Sequence, residues 1–270
     1  MSEFTTSDEQ TIYYEHTPGE DTLVFIHGWL HNHSIWDKEV KHFTKQQKGT
    51  VVLDLRGHGN SSTPEELDDY SMQRFATDVH ELLTHLGIQQ PTLIGHSLGG
   101  MIALTYLKKH SVKRLVLIDS TYENPSKHVP LANKIQWTPI TEQLIKYIQD
   151  KPRIQRALGG IDYEKTPRQI PTWLVGAKHS APHVILSCMR EILRLNEEEL
   201  LKHIHIPTLL IAGENDKKTP AKITRQMHQQ IPNSKLVIIP DAPHDTPRTH
   251  PKAIIQALDE FLEETSNPNN

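Results

Sequence analysis

With a single cysteine, Cys188, in 270 residues, the chain has no internal disulfide to staple its fold. That usage suits a reducing compartment, and the protein is expected in the cytoplasm. No apolar run is long enough to cross a membrane as a helix. Neither charge dominates: Lys and Arg number 29 against 33 Asp and Glu, and a net charge of −4 gives no electrostatic footprint for nucleic acid or an anionic membrane. The first nine residues are polar and acidic, the opposite of a secretory leader, so none is expected. Internal repeats and low-complexity tracts are also missing. Histidine is plentiful, at 18 residues, but scattered histidines are mostly solvated, and no metal or cofactor is expected from them. An apolar fraction of 36% with 23% charged residues describes a soluble protein, large enough for one α/β domain or a core with an insertion.

The stretch Pro91-Thr92-Leu93-Ile94-Gly95-His96-Ser97-Leu98-Gly99-Gly100 organises what is there. Residues 92–94 read as a buried strand, and the nearly continuous apolar segment 98–107 reads as a buried helix. Between them, Gly95-x-Ser97-x-Gly99 allows a turn so sharp that the serine hydroxyl stands exposed on a strained backbone. Glycine on either side removes the Cβ atoms that would collide in that corner. The next amide, on Leu98, opens the helix, where unpaired N–H groups favour a developing negative charge. Ser97 is therefore the candidate nucleophile.

Strands are expected at residues 11–14, 22–26, 50–55, 113–119, 209–212 and 235–239, besides the one before Ser97. Helices are expected from Ser34, as N-cap, to 45, then at 70–86 (closed by Gly87), 221–230 and 251–263. The tail 265–270 reads as disordered. In the loop Asp54-Leu55-Arg56-Gly57-His58-Gly59, an Asp54–Arg56 ion pair is expected to fix the chain. From residue 121 to 203 the strand–helix alternation stops, and prolines punctuate short helical segments at 140–148, 184–195 and 197–204. This divides the chain into a core of residues 1–120 and 204–270 and a helical insertion, 121–203. Alternation with short connections implies a mostly parallel sheet flanked by helices, with the insertion over its carboxyl edge.

A serine hydroxyl needs an adjacent base, itself oriented by a third group. Two loops at the carboxyl edge offer them: Gly213-Glu214-Asn215-Asp216 and Pro240-Asp241-Ala242-Pro243-His244. Asp119, ending another core strand, is an alternative acid. His179 and His183 have the i, i+4 spacing of a metal pair, but Pro182 interrupts the helix and no third ligand accompanies them, so they are expected to be solvated.

Five motifs, in order His27-Gly28-Trp29, Asp54-x-Arg56-Gly57-His58-Gly59-x-Ser61, Gly95-His96-Ser97-Leu98-Gly99-Gly100, Gly213-Glu214-Asn215-Asp216 and His244, give the chain a resemblance to the α/β-hydrolase superfamily. The likeness runs from about residue 10 to residue 264. It implies the α/β-hydrolase fold with a helical cap, Ser97 as nucleophile, His244 as general base then acid, and Asp216 as the orienting carboxylate. It implies an oxyanion hole of the Trp29 and Leu98 backbone N–H groups. Pro243 departs from the glycine common before that histidine. His96 is expected to pack behind the serine. His27, His96, Trp137 and Trp173 are candidate substrate contacts, His31 and His33 border the mouth, and Leu174, Met189 and Leu193 belong to the cap core or acyl pocket.

The resemblance implies a serine hydrolase acting without cofactor on a small-molecule carboxylic ester, through an acyl-enzyme. Alternatives are a lactone, thioester or carbon–carbon bond hydrolase with the same residues, or a ligand-binding relative with little turnover. Dehalogenase and epoxide-hydrolase chemistry is disfavoured, because such relatives carry aspartate at the position of Ser97.

Overall fold

Eight strands form one sheet in the computed structural model, which describes residues 2–128, 143 and 180–266. They are β1 (Ser2–Thr5), β2 (Thr11–Thr17), β3 (Glu20–Ile26), β4 (Lys48–Leu53), β5 (Thr92–His96), β6 (Arg114–Ile118), β7 (Thr208–Gly213) and β8 (Ser234–Ile239). Their spatial order is β1-β2-β4-β3-β5-β6-β7-β8. The strands from β4 to β8 in that order pair in parallel, while β2 and β1 run antiparallel at one edge.

Side-chain alternation along the strands decides which residues face which layer. On β3, Val24 and Ile26 enter a core with Phe75, Val79 and Leu104. Leu23 and Phe25 enter the opposite core with Trp36, Phe43, Ile254 and Leu258. Helices α1 (Asp37–Lys45), α2 (Met72–His85) and α3 (Leu98–Leu107) therefore cover both faces. Helix α2 starts where the Ser71 hydroxyl accepts the Arg74 N–H, and it stops before Gly87, whose φ of +70° few other residues tolerate. Helix α3 is buried along nearly its whole length, as its apolar sequence requires.

After β6, residues 122–124 pair with residues 195–197. Glu197 N–H donates to Tyr122 O at 2.7 Å, Asn124 N–H donates to Leu195 O at 3.1 Å, and Glu123 bridges Asn196. Helix α4 (Pro182–Arg194) lies between these two segments, and Val184 packs against the backbone of Gly57. Beyond the pair, the short α5 (Glu198–Leu201) places Leu201 in the core. Helix α6 (Ala221–Gln230) then links β7 to β8, and α7 (Thr246–Thr249) and α8 (Pro251–Ser266) complete the chain. The expected 140–148 segment, Trp137, Trp173, Leu174 and His179 lie outside the described residues.

Several expectations are corrected. An edge strand, β1, occupies part of the polar start of the chain, held by pairing to β2, with only Phe4 turned to the core. Asn32, not Ser34, is the cap: its Oδ1 accepts the Ser34 N–H at 3.1 Å and opens a 3-10 turn, His33–Trp36, ahead of α1. Residues 265 and 266 are helical, because the buried Arg114 guanidinium needs acceptors and donates to Thr265 Oγ1 at 2.5 Å and Ser266 Oγ at 2.9 Å.

Candidate active site

The carboxyl ends of β3, β5, β6, β7 and β8 converge on one edge of the sheet, and the loops leaving them carry Gly28, Ser97, Asp119, Asp216 and His244. Ser97 has φ +50° and ψ −115°, a region that side chains other than glycine rarely occupy. The surroundings hold it there: Ser97 N–H donates to Ile118 O at 2.9 Å, and Ser97 O accepts from Ser120 Oγ at 2.9 Å. The corner closes only with glycine on both sides. A Cβ on Gly95 would lie 2.4 Å from Gly99 O, and one on Gly99 would lie 2.2 Å from Ile26 O.

The structure brings Ser97, His244 and Asp216 into one hydrogen-bonded row. His244 Nδ1 is 2.8 Å from Asp216 Oδ2, and His244 Nε2 is 3.0 Å from Ser97 Oγ. Burial opposes charge on Asp216, but hydrogen bonds from His244 and Thr219 outweigh it and hold the carboxyl below its ordinary range. An ionised Asp216 takes the Nδ1–H, leaving Nε2 as the acceptor for the serine proton. Leu98 is the first residue of α3, and neither its N–H nor that of Trp29 finds an acceptor among the described residues. Gly28 allows the Trp29 loop to approach: a Cβ there would lie 2.6 Å from His96 Nδ1 and 3.2 Å from Ser97 Cβ. A hydroxyl, an imidazole backed by a carboxylate, and two amide N–H groups without an acceptor among the described residues thus lie together at this edge of the sheet.

The other nearby histidines are structural. His27 is fully buried; its Nε2 accepts the Leu55 N–H at 3.0 Å and its Nδ1 donates to Gly28 O at 2.8 Å, so no ring atom is left for a substrate. His96 is equally buried and donates Nε2–H to His244 O at 2.9 Å. The expected substrate contacts at His27 and His96 are corrected on this ground. Burial first, and then a neighbouring histidine, lowers both to about 3, so both rings are neutral. His31 stacks on His96 at 5.4 Å and is buried beside Asp245, while His33 bonds Asp54 at 2.8 Å.

Asp54 and Arg56 do not pair. Asp54 holds His33 and the Asn60 N–H, whereas Arg56 donates to Asp78 at 2.6 and 2.7 Å and to Asp8 at 3.0 and 3.2 Å. His183 is buried rather than solvated, and donates to Pro64 O at 3.0 Å. Met189 and Leu193, on α4, are half-buried. No group of three or more metal-ligating side chains occurs among the described residues. Asp119 is fully buried, and its carboxylate accepts Gly213 N–H at 2.8 Å and Thr246 N–H at 3.2 Å, tying two loops together; burial pushes it up to about 7. Sequence reasoning missed Thr219, whose hydroxyl touches Asp216 at 2.7 Å. Its signal was the spacing, three residues after the acid, at which side chains of Asx-type turns meet. A groove of about 690 Å³ lined by His16, Asp21, Gln90 and Lys113 opens at the other edge, where the parallel strands begin.

The family model described as the alpha/beta hydrolase fold matches residues 21–251. The chain belongs to that family. It is 29% identical over 278 residues to the uncharacterized hydrolase YugF of Bacillus subtilis, covering 95% of this chain and 96% of that one. It is 28% identical over 286 residues to the bifunctional esterase/perhydrolase DCH of Acinetobacter calcoaceticus, covering 97% and 99%. The fold matches a thermophilic esterase from Thermogutta terrifontis with a TM-score of 0.78 at 24% identity, over 98% of this chain and 99% of that one. Among the described residues, no helix of this hydrolase is long and apolar enough to cross a membrane.

Proposed function

We propose that this α/β-hydrolase cleaves small to medium carboxylic esters through an acyl-enzyme on Ser97. The observation that carries the reading is His244, which meets Asp216 with one ring nitrogen and Ser97 with the other, at 2.8 and 3.0 Å. Ser97 Oγ attacks the ester carbonyl while its proton passes to His244 Nε2. The carbonyl π pair moves onto oxygen, which the Trp29 and Leu98 N–H groups hold. Collapse of that intermediate breaks the bond to the alkoxy oxygen, which leaves as alcohol with the proton from Nε2. Water then repeats the sequence, losing its proton to His244, and the acid departs with Ser97 restored. The similarity to a bifunctional esterase/perhydrolase along nearly the whole chain supports the ester assignment.

Residues 121–203 are read as a cap that sets the acyl and alcohol pocket. The pairing of residues 122–124 with residues 195–197 supports an insertion between them. Cys188, buried and free, suits a cytoplasmic protein.

The test is hydrolysis of p-nitrophenyl esters, acetate to palmitate, by wild type and Ser97→Ala. Loss of roughly 10⁴–10⁶ in kcat is expected in the variant, and the best chain length sizes the pocket. Equal rates in the two proteins refute the nucleophile. A wild type that takes a fluorophosphonate on Ser97 but hydrolyses no ester shifts the substrate to a lactone, thioester or carbon–carbon bond.

A further inference from the structure

We propose that Thr219 is a positioning residue of this site, whose hydroxyl fixes the Asp216 carboxylate and sets how strongly that carboxylate acts on His244. The inference rests on the reading of Ser97, His244 and Asp216 given above.

Asp216 is nearly buried, and all its acceptor positions have donors. Oδ1 takes the Lys218 N–H at 2.7 Å and the Thr219 N–H at 3.0 Å. Oδ2 takes His244 Nδ1–H at 2.8 Å and the Thr219 hydroxyl at 2.7 Å. The two amides belong to the acid's own loop, so they orient the carboxylate relative to that loop only. The hydroxyl does more. Thr219 Oγ1 also lies 3.2 Å from His244 Nδ1, which places it against the hydrogen bond the histidine makes, and 2.9 Å from Asp119 O. Asp119 is itself immobilised: its backbone has φ +47°, and its carboxylate holds the first amide of one loop and an amide two residues past His244 in the other. Thr219 is therefore anchored to a point that both loops share. Its single proton has two acceptors, and the ionised carboxylate is the stronger.

A donor on Oδ2 draws charge from the carboxylate. Without it, Asp216 stabilises the imidazolium more, but is free to rotate away from the geometry that aims Nε2 at Ser97. The turnover step then slows although the base is stronger. Other charged or titratable groups that act on His244 or its neighbours are Asp119, Asp245, His96, His31 and Lys218. All remain in the variants, so a change is assigned to the hydroxyl.

The experiment compares full-length wild type, Thr219→Val, Thr219→Ser and Thr219→Ala, each normalised to the fraction of Ser97 titrated by a fluorophosphonate. Thr219→Val is expected to lower kcat about 10–50-fold, the size of one lost charge-assisted hydrogen bond, with KM unchanged. The acid limb of its kcat/KM profile is expected to move to higher pH, and Thr219→Ser to recover most of both effects. Thr219→Ala gives the same readout should the valine methyl not fit beside Asp119 O. A hydroxyl that only braces the loop lowers the titratable fraction and leaves the acid limb in place. That result overturns the proposal, as does a normalised kcat equal to wild type. A wild type that takes no fluorophosphonate overturns instead the reading of Ser97 on which it stands.

Discussion

Glu39 gives this protein a stability that falls as pH rises. The residue lies in the first turn of α1, fully buried, and neither carboxyl oxygen meets a hydrogen-bond partner among the described residues. Burial lifts it from an ordinary 4.5 to about 8. The folded chain therefore keeps the proton through a range in which the unfolded chain loses it. With the folded value raised, the stabilisation is fully present below about pH 4.5 and is lost progressively up to about pH 8. At roughly 1.4 kcal/mol per pH unit, this one group removes about 2–3 kcal/mol between pH 5 and pH 7. For a chain of this size that is about 5–10 °C in Tm. Glu39→Gln keeps the shape and cannot ionise. Its amide is as poorly partnered as the acid, a cost independent of pH that cancels when stabilities at two pH values are subtracted. Urea unfolding followed by circular dichroism is expected to show the variant gaining on wild type by about 2–3 kcal/mol from pH 5 to pH 7. A difference between the two proteins that stays constant across that range refutes the argument.

Two further substitutions test the frame of the site. Gly28→Ala puts a methyl 2.6 Å from His96 Nδ1 and 3.2 Å from Ser97 Cβ, so the Trp29 loop has to retreat. We expect kcat to fall about 10²–10³-fold, as for a lost oxyanion donor, while the melting temperature changes little; an active Gly28→Ala enzyme places the oxyanion donors elsewhere. Arg56→Met leaves both the buried Asp78 and Asp8 with only Arg74 as a charged partner, at an expected cost of about 3–5 kcal/mol in urea unfolding. The loss is expected to shrink in Arg56→Met/Asp78→Leu, and a double variant as unstable as the single one argues against a stranded charge.

Much of the fold was legible because its signals are local. Buried parallel strands are short apolar runs, and the turn at Ser97 is dictated by where a Cβ cannot fit, which the glycine spacing shows directly. The edge strand β1 was not legible, since pairing to β2 holds it and its residues are mostly exposed. Nor was the cap at Asn32, because two polar residues compete there and only the backbone geometry chooses between them. Around the site, the nucleophile, base and acid candidates were readable from their place after core strands. The partners of Asp54 and Arg56 were not: two residues apart, they would share a face on extended backbone, but β4 ends at Leu53 and the chain turns there, sending one towards His33 and the other towards Asp78. Thr219 stood in view as an ordinary loop residue and Asp119 as an alternative acid, and only the meeting of three loops gives them their contacts.

The histidines show why residue type alone does not locate a base. His27, His31 and His96 are buried close to the site, and burial lowers each to about 3. His27 and His96 have their protons committed to backbone carbonyls, which fixes their tautomers and holds the Gly28 loop and the His244 loop beside the turn at Ser97. A neutral ring that cannot gain a proton is no use as a general base, but it is a rigid spacer with one donor and one acceptor. His244 differs in environment, not in kind. It keeps partial exposure, a carboxylate faces its Nδ1, and a hydroxyl faces its Nε2. In the proposed reaction the proton taken from Ser97 creates an imidazolium hydrogen-bonded to the Asp216 carboxylate, whereas the same proton on His96 would create a fully buried cation whose desolvation outweighs the Asp119 carboxylate 3.8 Å away. In the proposed reaction the strained serine and the neutral histidines divide the work: strain presents the hydroxyl, the buried rings hold its neighbours still, and the one partly exposed ring moves protons.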